Sequence, residues 1–92
     1  MNVTVTYTTQ IKAALELASE TVEVAEGTSA LDLLRQLADK HGETIATLVF
    51  TSAGDLLPSM LLCVGDEQLT SPAEYSMQDG DTLTLLSAIS GG

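Results

Sequence analysis

The chain has 92 residues, 45% of them hydrophobic and 17% charged, so it is long enough for one domain and too apolar for disorder. Its formal net charge of −10 sets 13 carboxylates against three basic residues, a surface that repels phosphate backbones and argues against nucleic-acid binding. The sequence contains neither an apolar run of membrane-spanning length nor the pattern of a signal peptide. We therefore expect a cytoplasmic protein that does not contact a membrane.

Two alternating segments open the chain. Residues 3–8 and 21–24 alternate apolar and polar side chains, which predicts two half-buried strands paired as a hairpin. The connection between them, residues 10–19, is long. Five of its apolar side chains indicate that part of it packs against the rest of the domain, namely Ile11, Ala13, Ala14, Leu15 and Leu17.

The clearest helix follows this hairpin. Thr28 or Ser29 can cap its start, and Gly42 is a suitable stop. The spacing predicts a core-facing stripe with Leu33 at its edge. That stripe consists of Leu31, Leu34, Leu37 and Ala38.

His41 falls in the last turn of this helix, directly after Lys40. Positive charge is favourable there because it complements the helix dipole. The sequence shows no evident partner for His41, so we interpret it as a helix-end residue and not a catalytic one.

The second half of the chain reads as a short helix followed by strands. Residues 43–50 can form the helix, and the apolar run 60–64 predicts a central strand buried on both faces. Residues 68–70 suggest a short edge strand. The last strand, 82–86, would place Leu83 and Leu85 on one face and Leu86 on the other.

The only cysteine, Cys63, lies within the apolar run 60–64. A lone cysteine gives no disulfide framework and no metal-binding spacing. We predict a buried, inert strand thiol at this position and no metal site.

These elements predict an α+β domain spanning residues 1–92. A mixed sheet of four to five strands would carry one main helix on one face. After the last strand the chain ends in Ser90-Gly91-Gly92. Glycine has no Cβ, so a flexible tail over residues 87–92 could enter narrow channels.

Three sequence features carry a family resemblance. They are Asp79-Gly80-Asp81 before the last strand, the terminal run from Leu86 to Gly92, and the strand and turn 62–67. Together they resemble the ubiquitin-like β-grasp sulfur carriers. The chain is most similar to the small subunits of molybdopterin synthase, with the thiamine-pathway carriers next. Ser87-Ala88 stands where those small subunits often have Pro-Pro, so the pathway stays open.

The resemblance implies a specific chemistry for the tail. An E1-like adenylyltransferase/sulfurtransferase would use ATP to adenylate Gly92, and sulfur would then replace AMP to give a thiocarboxylate. Ser90 and Gly91 would allow the tail to enter the active sites of its partners. The carrier itself would bind no cofactor and would be a cosubstrate, because no nucleophile–base pair or phosphate-binding loop is evident.

The resemblance also implies a partner surface. Leu86, Ala88 and Ile89 would contact the large catalytic subunit of molybdopterin synthase, the first expected acceptor of the sulfur. Two alternatives remain. The first is a sulfur carrier for thiamine or another sulfur-containing metabolite, and the second is a ubiquitin-like modifier that joins Gly92 to lysines. A domain without tail chemistry is a third and weaker possibility. The sulfur donor and the oligomeric state are left open by the sequence.

Overall fold

The computed structural model describes residues 1–87, excluding the side chain of Ser87. The predicted tail 87–92 therefore lies outside the described residues except for the backbone of Ser87. The secondary-structure elements are β1 (Asn2–Tyr7), α1 (Thr9–Leu15), β2 (Ser19–Glu23), α2 (Ala30–His41), α3 (Glu43–Val49), β3 (Met60–Val64), β4 (Glu67–Gln68) and β5 (Thr82–Ser87).

The five strands form one sheet in the order β2-β1-β5-β3-β4. β1 and β5 are parallel, whereas β1–β2, β3–β5 and β3–β4 are antiparallel. This arrangement confirms the predicted mixed sheet and the hairpin of the first two strands. β5, the last described element, lies at the centre of the sheet and is held on both sides.

One face of the sheet is covered and forms the core with α2. In β1 and β5 every second side chain is buried, as in strands with one face on the core. In α2 the buried side chains recur every three or four residues, as in an amphipathic helix. The buried residues of these elements are Val3, Val5, Tyr7, Leu83, Leu85, Ala30, Leu33, Leu34 and Leu37.

The predicted inner stripe of α2 was partly wrong. Leu33 is 1% exposed and belongs to the core, whereas Leu31 is only partly buried. The reason is that Ala30, Leu33, Leu34 and Leu37 follow the i, i+3, i+4, i+7 spacing that faces the sheet. Ser29 caps the helix by accepting a hydrogen bond from the Asp32 amide, and Gly42 ends it, both as predicted.

Two further predictions need correction. The connection between β1 and β2 packs against the domain as predicted, with Ile11 fully buried, but it also contains a helix that was not predicted. This helix, α1, packs against α3, so the sheet carries two short helices besides α2. The predicted helix over 43–50 is confirmed as α3, Glu43–Val49. The predicted edge strand over 68–70 is instead β4, Glu67–Gln68.

β3 was predicted to be buried on both faces, which is wrong. Met60 and Leu62 point into the core, but Leu61 and Cys63 are only half-buried. The opposite face of the sheet carries no helix among residues 1–87, so an apolar run at this position remains partly accessible. Cys63 is therefore not the fully buried thiol that the sequence suggested.

The Asp79-Gly80-Asp81 turn connects the start of β5 to the start of β1. Asp79 Oδ1 accepts a hydrogen bond from the Asn2 amide at 2.8 Å, and the Gly80 amide donates to the Asn2 carbonyl at 2.8 Å. Asp81 Oδ2 accepts from the Tyr75 hydroxyl at 2.8 Å. Gly80 has a φ of 87°, a conformation that glycine adopts without strain. The turn thus fixes where β5 begins.

No helix within residues 1–87 combines the length and apolarity needed to cross a membrane. The same part of the chain holds no group of three or more His, Cys, Asp or Glu side chains placed to bind a metal ion.

Candidate functional site: the exit of the C-terminal strand

β5 delivers the chain to its C-terminal tail from the centre of the sheet. Its register places Leu85 beside Tyr7 of β1 and Leu62 of β3, and Ser87 beside Met60. Leu83 and Leu85 are fully buried, whereas Leu86 is only partly buried. The predicted separation of these leucines between the two faces is confirmed. The tail therefore leaves a strand that is anchored by its neighbours up to Ser87.

The uncovered face of the sheet presents a small apolar patch beside this exit. Leu61 pairs directly with Leu86, and both side chains point away from α2. Cys63 pairs with Thr84 on the same face. We call Leu61 and Leu86 the outer leucine pair. Leu61 was not singled out from the sequence, because its exposure depends on the absence of a helix over this face.

Thr8 ties the exit end of β5 to the first helix. The backbone ladder between β1 and β5 ends at the Tyr7–Leu85 pair. Immediately beyond it, the Thr8 hydroxyl donates a hydrogen bond to the Leu85 carbonyl at 2.7 Å. Thr8 is also the N-cap residue of α1. The β1–α1 junction and the end of β5 are thus held together by a side chain.

A polar cluster lies on the core side of the same end of the sheet. Glu20 of β2 accepts hydrogen bonds from the Tyr7 hydroxyl and from Lys40 Nζ, each at 2.5 Å. His41 Nε2 is also 2.5 Å from Glu20 Oε2, and its ring packs edge-on against Tyr7 with centroids 6.2 Å apart. The cluster joins β1 and β2 to the last turn of α2.

The cluster shifts the pKa values of two of its members. Burial acts to raise the pKa of Glu20, but hydrogen bonds from Lys40, Tyr7 and His41 outweigh it and lower the pKa from 4.5 to about 2. Burial, together with the hydrogen bond to Glu20, raises the pKa of Tyr7 well above its usual range. Glu20 therefore stays ionised and Tyr7 stays neutral at physiological pH.

His41 was predicted to end its helix without a partner. The position in the last turn is confirmed, but the missing partner is wrong, because Glu20 and Tyr7 both contact the ring. Sequence reasoning missed this cluster since its members come from three elements, with 21 positions between Glu20 and His41. Every oxygen of Glu20 is occupied by a donor, so the cluster stabilises the fold and offers no unpaired base for catalysis.

Five of the predicted site residues lie outside the described residues, namely Ala88, Ile89, Ser90, Gly91 and Gly92. Their assignment to the tail chemistry and to partner contact remains a prediction. Of the predicted site, the structure places only Leu86, at the exit end of β5 and on the uncovered face.

Comparison with known proteins gives one family match and many matching folds. The model of the ThiS family matches residues 5–92, which includes the terminal glycines. A search among curated protein sequences gave no match.

Three solved structures illustrate the similarity. SAMP1 from Haloferax volcanii superposes with a TM-score of 0.88 at 20% identity, with 100% of each chain covered. A chain of the Amycolatopsis orientalis BexX/CysO complex gives a TM-score of 0.71 at 30% identity, covering 98% of this chain and 99% of that chain. Molybdopterin converting factor subunit 1 from Pyrococcus furiosus gives 0.77 at 18% identity, covering 97% and 99%. These matches confirm the predicted ubiquitin-like β-grasp fold.

Proposed function

Because the chain belongs to the ThiS family of ubiquitin-like sulfur carriers, we propose that it carries sulfur as a thiocarboxylate on Gly92. The observation that supports this most directly is the family match over residues 5–92, which extends through Gly91 and Gly92. The exit geometry agrees with the proposal. β5 is anchored in the centre of the sheet up to Ser87, and the two glycines lie five residues or fewer beyond it.

The chemistry follows from the poor reactivity of a carboxylate. An E1-like enzyme would transfer the AMP part of ATP to the Gly92 carboxylate and release pyrophosphate. A persulfide sulfur on a partner would then attack the acyl carbon and displace AMP, which gives an acyl disulfide between Gly92 and the partner. A second thiol of the partner would attack the partner's sulfur of that disulfide, so that a new disulfide forms on the partner and the Gly92 thiocarboxylate leaves. Glycine suits the position because it has no side chain to obstruct the approach of either enzyme.

On this proposal the protein is a cosubstrate of other enzymes. Small carriers of this family are generally non-catalytic. Within residues 1–87, the strongest cluster of titratable groups surrounds Glu20, and its carboxylate is fully hydrogen-bonded on the core side of the sheet. It gives no free nucleophile or base that could act on the tail of the same molecule.

The outer leucine pair would help to dock the carrier onto its partners. Leu61 and Leu86 are partly exposed and adjacent to the exit, and Ala88 and Ile89 continue the apolar sequence into the tail. Burial of this apolar surface against a partner would favour binding. The net charge of −10 would favour encounter with a basic groove and would act mainly on the association rate.

The first acceptor to test is the large catalytic subunit of molybdopterin synthase, which is the acceptor implied by the sequence resemblance. Two observations favour a second possibility, a carrier that serves another sulfur acceptor. Ser87-Ala88 replaces the Pro-Pro that molybdopterin-synthase small subunits often have. The chain is also 30% identical to a chain crystallised in the BexX/CysO complex. A modifier that forms isopeptide bonds would use the same adenylate, with a lysine amine in place of sulfur.

The experiment incubates the full-length protein with an E1-like enzyme, ATP and a persulfide donor, and then measures intact mass and fragment masses. We expect one oxygen to be replaced by sulfur at Gly92. Deletion of Gly92 should abolish the product without loss of stability. Cys63→Ser should leave the product unchanged, which controls for sulfur on the thiol. A mass change confined to Cys63 would refute the proposal, and amide-linked adducts in cells would favour the modifier.

A further inference from the structure

The β1–α1 junction contains two local departures from ordinary helix geometry. Thr8 is the N-cap residue of α1, yet its side chain makes no capping hydrogen bond. Thr9, the first residue of α1, has a φ of 47°. This left-handed conformation is unfavourable for a β-branched residue and persists only where the surrounding structure imposes it.

The missing capping bond is explained by a contact that the Thr8 side chain makes elsewhere. An N-cap threonine normally accepts a hydrogen bond from the first turn of its helix. The Thr8 hydroxyl instead donates to the Leu85 carbonyl at 2.7 Å, 77 positions away along the chain. The junction therefore holds the exit strand at the expense of its own capping.

The location of this bond relates it to the tail. The β1 side of β5 is paired by backbone only as far as Leu85, although the β3 side remains paired to Ser87. Without the Thr8 bond, the Leu85 carbonyl would lose its hydrogen bond to the β1–α1 junction, and Leu86 and Ser87 are paired with β3 alone in either case. The end of β5 would then be less firmly fixed against β1.

We propose that Thr8 is a positioning residue for sulfur transfer, which fixes the exit direction of the tail so that Gly92 reaches the active site of the activating enzyme. The inference rests on the proposed function. It assigns Thr8 no chemical step, because its effect is transmitted through Leu85 and the backbone of β5.

The test compares four full-length proteins in the thiocarboxylate assay, with kcat and KM measured for the carrier as substrate. Thr8→Val removes the hydroxyl and keeps the shape, and Thr8→Ser keeps the donor. Thr28→Val is the matched control, since the Thr28 hydroxyl also donates to a backbone carbonyl at 2.7 Å, that of Ala25 in the loop before α2. Urea unfolding of each variant reports the accompanying loss of stability.

We expect Thr8→Val to lower kcat about tenfold with little change in KM, because misplacement of a reacting group by about 1 Å can cost up to roughly a hundredfold. Thr8→Ser should restore kcat, and Thr28→Val should lose a similar amount of stability while keeping kcat. If Thr8→Val does not fold, Thr8→Ala replaces it in the same comparison.

Other outcomes would overturn the inference in distinct ways. Equal kcat for Thr8→Val and wild type would show that the bond does not position the tail. A rise in KM alone would place Thr8 in docking, and equal losses of kcat for the Thr8 and Thr28 valine variants would indicate general destabilisation. Failure of the wild-type protein to form thiocarboxylate would refute the proposed function itself, and this inference with it.

Discussion

Replacement of Glu20 by glutamine should destabilise the domain in a pH-dependent manner. The carboxylate accepts hydrogen bonds from Tyr7, Lys40 and His41 and has a pKa of about 2, against 4.5 for an unperturbed glutamate. This difference corresponds to roughly 3 kcal/mol of favourable interaction with the charged form. The Lys40 side chain is 53% exposed, so solvent screens part of it. We therefore expect Glu20→Gln to cost about 1–2 kcal/mol at pH 7.

The sign of the pH dependence follows from the lowered pKa. The stabilisation by Glu20 is fully present above pH 4.5 and is lost as the pH falls through the range down to about 2. The difference in unfolding free energy between wild type and Glu20→Gln should therefore shrink toward zero over that range. Measuring the difference, and not the wild-type stability, removes the general effect of protonating the other carboxylates.

The assay is urea unfolding at a series of pH values between 7 and 2, with the slope m compared between proteins. Glu23→Gln is the matched control. Glu23 lies on the same strand and is exposed, and its replacement by glutamine removes the same formal charge. It should change stability by less than about 0.5 kcal/mol, as exposed substitutions usually do. Equal effects of the two substitutions, or a Glu20→Gln effect that is constant with pH, would refute the assigned role of the cluster.

Two further predictions concern the core and the partner surface. Leu34→Ala should lower the free energy of unfolding by about 2–5 kcal/mol, because Leu34 is 0% exposed on the core-facing side of α2. Leu31→Ala, at a partly exposed position, should lower it clearly less in the same urea titration, and equal losses would contradict the observed helix orientation. Ile89→Asp should weaken binding to the acceptor enzyme through faster dissociation, whereas added salt should mainly slow association, both measured by surface plasmon resonance. Unchanged dissociation would place the interface elsewhere.

The elements set by local sequence were predictable. The Ser29 cap, the Gly42 stop and the alternation of Leu83 with Leu86 depend on residues within a few positions of one another. The order of strands and helices then limited the fold to a mixed sheet with helices on one face.

The features that sequence reasoning missed depend on distant residues. α1 begins with a threonine at positive φ, and its N-cap residue, Thr8, makes no side-chain capping hydrogen bond. A threonine at this point therefore did not identify the start of a helix. The hydrogen-bond partner of the Thr8 hydroxyl, Leu85, is 77 positions away along the chain. Cys63 lies in a run that is apolar throughout, and such a run cannot indicate which face of the sheet stays uncovered. The pairing of Glu20 with His41 was also missed, because the two residues are 21 positions apart and lie on different elements.

The proposed chemistry and the choice of sulfur acceptor depend on different parts of the chain. In the proposed function, activation acts on the Gly92 carboxylate alone, through adenylation by a partner enzyme. Selection of the acceptor must instead use side chains, and beside the exit of β5 these include the outer leucine pair, Leu61 and Leu86. Substitution of this pair should therefore change which synthase accepts the sulfur more strongly than it changes the chemical step of thiocarboxylate formation. The family match gives the carrier class, and binding experiments with variants of the outer leucine pair would identify the acceptor.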